Sequence, residues 1–190
     1  MNNNFEETFI EHCAPLLAGI KTSNLFSVKC ENYCELYDKV TTLNNTLNDK
    51  DIYISILKNF ICSDTHYMIF AYRKTKLENR IKEKLINEFL NQYGYSTCKD
   101  LSDYLSVLKN KLICYKIFPH EIGIFLGYPL NDVKSFIKEK GKNFISCGTW
   151  KVYSNKKHYE KVFSIYKKCK ELYTELYKNG HSIEKLAMAS

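Results

Sequence analysis

The chain has 190 residues, 45% hydrophobic and 26% charged, a balance that fits one folded domain and excludes intrinsic disorder. No apolar run reaches the roughly 18 residues of a membrane span, and the polar, acidic start from Met1 to Thr8 lacks the basic and apolar regions of an export signal, so the expected compartment is the cytoplasm. The net charge is +7, but only Arg73 and Arg80 among the 28 basic residues are arginine; arginine is the residue that forks onto phosphate and guanine, so this usage argues against nucleic acid.

In chain order, Phe5 to Leu17 reads as a short helix begun or interrupted by Pro15, and Ala18 to Val28 as extended or irregular backbone. Leu36, Val40, Leu43 and Leu47 recur at helical spacing, and Asn48-Asp49-Lys50-Asp51 signals a turn. Tyr53 to Ile61 and Tyr67 to Tyr72, rich in Ile, Phe and Tyr around Ser63-Asp64-Thr65-His66, predict a β-hairpin. Lys76 to Tyr93 is the clearest predicted helix, with Leu77, Ile81, Leu85, Phe89 and Tyr93 four residues apart and Gly94 as its cap. Cys98 to Leu112 predicts a further helix. His120 to Leu126 and then Leu130 to about Gly141 predict a short pair. Phe144 to Tyr153 reads as a strand with Gly148 at a turn or bulge, and Lys157 to Lys178 as a long amphipathic helix ended by Gly180. Regular alternation of strand and helix is absent. The expected class is therefore α+β: a small, mostly antiparallel sheet, hairpin 53–72 plus strand 144–153, packed with amphipathic helices in one domain over 1–190.

Eight cysteines lie scattered, and Cys30 and Cys34 are the one close pair. Neither a zinc-site spacing nor a disulfide framework emerges from them. His12-Cys13-Ala14-Pro15, followed by Gly19-Ile20-Lys21, offers a thiol near an imidazole and an amine, a set that suits a nucleophile or a ligand site; the plain alternative is a buried thiol beside a loop. Pro119-His120-Glu121 offers a general acid or base, against an alternative in which Glu121 complements a helix start. HExxH is not formed, since Ile124 and Phe125 follow, so a zinc-protease reading is excluded. Arg73, at the end of the second hairpin strand, suits a carboxylate or phosphate, or an internal ion pair. The helix pair around Gly127 has a helix-turn-helix layout, but Asp132 near the start of its second helix is a poor choice against phosphate. Trp150, the single tryptophan, either walls a ligand pocket or packs in the core, and Cys169 falls on an apolar stripe. No glycine-rich phosphate loop occurs.

Three segments carry a resemblance: His12-Cys13-Ala14-Pro15 through Phe26; Phe118-Pro119-His120-Glu121-Ile122-Gly123-Ile124-Phe125-Leu126-Gly127-Tyr128-Pro129 through Val133; and Trp150-Lys151-Val152-Tyr153 with Tyr166-Lys167-Lys168-Cys169. In this order they resemble domain-of-unknown-function family 3793 (DUF3793) of clostridia and related bacteria, and the FPHEIGxFLGYP string is the specific part. One departure is Thr22 after Lys21, where the family often has proline. The resemblance implies a cytoplasmic protein of anaerobes, with a looser link to flavodoxins and iron uptake, and it implies no reaction.

The functional expectation is a protein or enzyme that binds a small ligand or metal in iron or redox physiology. Cys13, His120 and Glu121 would stand in catalytic places, and Lys21, Arg73, Tyr128, Trp150 and Cys169 in ligand-binding ones, with the metal and cofactor unknown. The alternative is an interaction module whose lysines dock an acidic redox partner such as a flavodoxin. A DNA-binding regulator is a weaker alternative.

Overall fold

The computed structural model describes residues 5–59, 65–114 and 118–189. It is an α+β fold: helix α1 (Phe5–Leu17), strand β1 (Ser23–Lys29), helix α2 (Tyr33–Leu47), strands β2 (Ile52–Asn59) and β3 (His66–Arg73), helices α3 (Lys74–Lys82), α4 (Lys84–Leu90), α5 (Leu101–Cys114), α6 (Ile122–Phe125) and α7 (Leu130–Lys138), strands β4 (Ser146–Cys147) and β5 (Lys151–Val152), and helices α8 (Lys156–Lys178) and α9 (Ile183–Leu186). No described helix is long and apolar enough to cross a membrane. The contacts group into two compact units, one from residues 1–76 and 169–190, the other from residues 77–168.

In the first unit a three-stranded antiparallel sheet has the order β1-β3-β2. Its third strand is β1, drawn from the stretch read as extended or irregular, and not the 144–153 segment. The pairing explains this: Ser23 to Lys29 match Tyr72 to His66 residue for residue, so the ladder satisfies the backbone groups of this edge strand that face β3. Leu36, Val40, Leu43 and Leu47 of α2 are buried with Phe9, Ile10, Leu16 and Leu17 of α1 against Ile52, Ile54, Ile69 and Ala71. Asn32 caps α2, its side chain accepting from the main-chain N–H groups of Cys34 and Glu35. Ile183 and Leu186 of α9, a helix too short to predict, close this core. Part of the predicted hairpin turn, Cys62 to Asp64, and the predicted strand end at Phe60 and Ile61 lie outside the described residues.

In the second unit the predicted 76–93 helix is two helices. Glu83 leaves the helical conformation at ψ 125°, the phase resets, and Leu85, placed on the predicted stripe, is 66% exposed. The predicted strand 144–153 is instead the small β4–β5 ladder, separate from the main sheet. Gly148 lies at its turn because Phe163 of α8 occupies the space: a Cβ there would run into the Phe163 ring. Gly123 similarly lets α6 approach α7, where a Cβ would lie 2.8 Å from Val133.

Candidate ligand-binding site

The segment Phe118–Pro129 is held from behind by Arg80 of α3. Its Nε donates to the Ile124 carbonyl at 3.0 Å and its Nη2 to the Tyr128 carbonyl. This fixes α6 and the turn after it, and α6 buries Ile122, Ile124 and Phe125. His120 and Glu121 then diverge. Glu121 is 3% exposed and accepts at Oε1 from Lys111 of α5, at 2.6 Å, and from the Tyr95 hydroxyl, at 3.4 Å. It makes no capping bond to α6, so the ion pair with Lys111, and not helix capping, is its structural role. Lys111 also donates to the Tyr93 carbonyl and lies 4.7 Å from the centroid of the Tyr95 ring. Burial, and then the Glu121 charge, push the Tyr95 phenol well above its ordinary range, so its proton stays in place. His120 is exposed, with its ring 5.1 Å from Phe136 and 6.1 Å from Phe118.

Two cavities open beside this segment. One, of about 460 Å³, is walled by Tyr93, Lys111, Phe118, His120 and Glu121. The other, of about 340 Å³, is walled by Leu126, Tyr128, Val133, Phe136 and Trp150. Phe118 and His120 border both. Trp150 is stacked on Tyr128 at 5.0 Å and meets Phe163 edge to face at 4.7 Å. Buried Asp132 of α7 sets its orientation: one carboxylate oxygen accepts from the Trp150 indole N–H at 2.8 Å, the other from the Tyr153 main-chain N–H at 3.0 Å. Tyr128 donates its hydroxyl to the Thr149 carbonyl at 3.2 Å, and burial pushes its pKa up to about 12. The arrangement is an aromatic-walled cleft with one buried ion pair, a set of groups that can stack on a flat ring and hold one polar edge.

The expected site residues thus divide between the units. His120, Glu121, Tyr128 and Trp150 are together in the second. Cys13, Lys21, Arg73 and Cys169 are in the first. Cys13 is fully buried in the core, and burial pushes its thiol far up, opposite to what an activated nucleophile requires. His12 does not pair with it; the ring stacks on Phe26 at 4.8 Å, since successive helical residues point about 100° apart. Lys21 is buried and donates to Asn24 at 2.5 Å, with burial lowering its pKa to about 8. Arg73, buried completely, directs its fork at the main chain: it donates to the carbonyls of Leu16 at 2.8 Å, Leu17 at 3.0 Å, Lys50 at 3.2 Å and Met188 at 2.8 Å. The carbonyls of Leu16 and Leu17 end α1; the first also accepts from the Gly19 N–H and the second from the Met188 N–H, so the guanidinium adds a second donor to each at that helix end. Cys169 is half-buried and its thiol is likewise pushed up by burial. Among the described residues, no group of three or more His, Cys, Asp or Glu is placed to hold a metal ion.

Sequence reasoning passed over Lys111, Asp132 as a tether, and Phe136. Lys111 had a signal: it is next to Leu112 and three residues from Leu108, on the edge of the apolar stripe of α5, where a lysine needs a partner.

Fold and cleft define an α+β protein with an aromatic-walled cleft built on the Phe118–Pro129 segment. The chain belongs to the family described as Protein of unknown function (DUF3793), whose model matches residues 9–187. No curated protein and no solved structure matches it.

Proposed function

We propose that this protein binds a small organic ligand in the paired cavities beside His120. One observation carries the reading. The most specific stretch of the sequence, Phe118 to Pro129, supplies wall residues to both cavities. Their sizes lie in the range of small-molecule sites. The wall groups are aromatic rings, an imidazole and an ion pair, which suits an organic ring better than a bare metal ion.

Because Trp150 is the only tryptophan, its fluorescence reports on this site alone. The test is titration with anilinonaphthalene sulfonate, a flat aromatic probe. Saturable quenching of Trp150 is expected, weakened about 10-fold or more by Cys147→Phe, which fills the second cavity from an exposed position. An unchanged melting temperature in that variant excludes a folding defect. Non-saturable binding, or binding indifferent to Cys147→Phe, sinks the reading.

A second reading, docking of an acidic protein, is favoured by one face of α8. Lys157, Lys161, Ile165 and Lys168 share it at spacings of four, four and three residues, and all are exposed. Capture of a flavodoxin at low salt, lost at about 0.5 M salt and in a variant with these three lysines changed to glutamate, supports it. Salt-independent capture or none removes it.

A further inference from the structure

The larger cavity carries more than a volume. Glu121 lines it and is 3% exposed. Both bonds recorded to its carboxylate, from Lys111 and from Tyr95, end on Oε1. Oε2 accepts nothing from any described residue. A carboxylate has about four acceptor positions, and Oε2 is not one of the fully enclosed atoms left without a partner, so it keeps accessible surface in a residue that lines the cavity. Oε2 is therefore a charged acceptor that the wall offers to the space it borders, beside the exposed amide of Asn110.

The neighbours decide what kind of donor fits. Lys111 pairs with Glu121, so the wall has no net charge. A cationic ligand finds its attraction cancelled by the ammonium, and an anionic one meets a carboxylate whose lysine is already engaged with Glu121 and the Tyr93 carbonyl. A neutral N–H donor has neither penalty. Tyr93, Phe118 and His120 bring rings to the same space, and Phe118 and His120 are exposed and so able to cover a ligand. Aromatic side chains pair well with an aromatic occupant, stacked or edge to face.

We propose that this cleft takes a neutral, planar nitrogen heterocycle that donates an amide-type ring N–H to Glu121 Oε2. The proposal rests on the small-ligand reading above and names its chemical class.

Matched pairs that differ by one amide-type N–H test it: theobromine against caffeine, and inosine against 1-methylinosine, each titrated calorimetrically. In at least one pair the N–H member is expected to bind about 10-fold or more tighter than its methylated partner, the scale of a hydrogen bond to a charged acceptor. Glu121→Gln gives a sharper outcome. Lys111 donates only, so it keeps the amide oxygen, and the amide N–H₂ takes the place of Oε2. Donor then faces donor, and the preference falls to unity or reverses. If that variant fails to fold, the ring N–H of a ¹⁵N-labelled probe in the wild-type complex is read instead: a downfield, exchange-protected resonance supports the bond. An N–H in fast exchange with water overturns it. Equal affinities within both pairs overturn the heterocycle proposal, while saturable quenching of Trp150 by the naphthalene probe leaves the small-ligand reading standing. Failure of both removes both.

Discussion

Lys21 is buried beneath Asn24 with its pKa lowered to about 8, by burial first, against an upward pull from Cys13. In the unfolded chain a lysine titrates near 10.4. Below about pH 8 both states hold the proton and the folded state bears the full desolvation cost. Between about 8 and 10.4 the unfolded state holds more protons, so this group makes stability rise with pH. Cys13 acts oppositely: its thiol is raised by burial, so above about pH 8.5 the unfolded chain loses a proton that the folded chain keeps, and stability falls. Comparing wild type with Lys21→Met separates the two. The stability of Lys21→Met relative to wild type is expected to drop by up to about 3 kcal/mol between pH 7 and pH 10.5, read from urea midpoints. A difference that stays flat with pH rules out a lysine held at about 8. In the sequence Lys21 was visible as a candidate, but its burial was not, because it depends on Asn24 and α1 packing above it. Arginine scarcity, in the same way, flagged Arg73 and Arg80 as special without showing that both forks end on main-chain carbonyls.

At the scale of elements, the long amphipathic helices were legible, since a stripe every three or four residues is a local signal. The break at Glu83 was not, because no proline or glycine marks it. The β4–β5 ladder was read as one strand, because its turn is set by a partner elsewhere: Phe163 fills the place a side chain at Gly148 would need. Hence Gly148→Ala is expected to cost about 1–3 kcal/mol, the range for overpacking, and to alter Trp150 emission, since Phe163 also meets the Trp150 ring. Wild-type stability and an unchanged spectrum would mean the hairpin moves away freely. The cleft was partly legible for the same reason. Its front wall is one continuous stretch, Phe118 to Pro129, while Lys111, Asp132 and Phe136 reach it from α5 and α7 and carry no mark of their own in the chain.

For the whole molecule, the family match runs through both units, and the fold expected as α+β is the one observed. The units differ in what reports on them: Trp150 lies in the second, and the sheet of β1, β2 and β3 in the first. Arg73→Met strips a buried donor from four carbonyls of the first unit. The Leu16 and Leu17 carbonyls keep their main-chain donors, Gly19 and Met188, so the loss expected is about 2–4 kcal/mol, on a scale of 1–3 kcal/mol for each acceptor left without a partner. In that variant the far-ultraviolet circular dichroism should begin to fall at lower urea than the Trp150 fluorescence. Coincident transitions would instead show that the two units unfold as one.

Arg73 and Met188 are 115 residues apart. On a ribosome adding roughly 5–20 residues each second, that separation is a wait of about 6–23 s. During it, residues 77–168 emerge as one uninterrupted stretch and have all of their own unit available. Residues 5–76 do not, since α9 and the Met188 carbonyl are still to be synthesised. Order of synthesis and order of assembly therefore run against each other in this chain: the part made first is the part completed last.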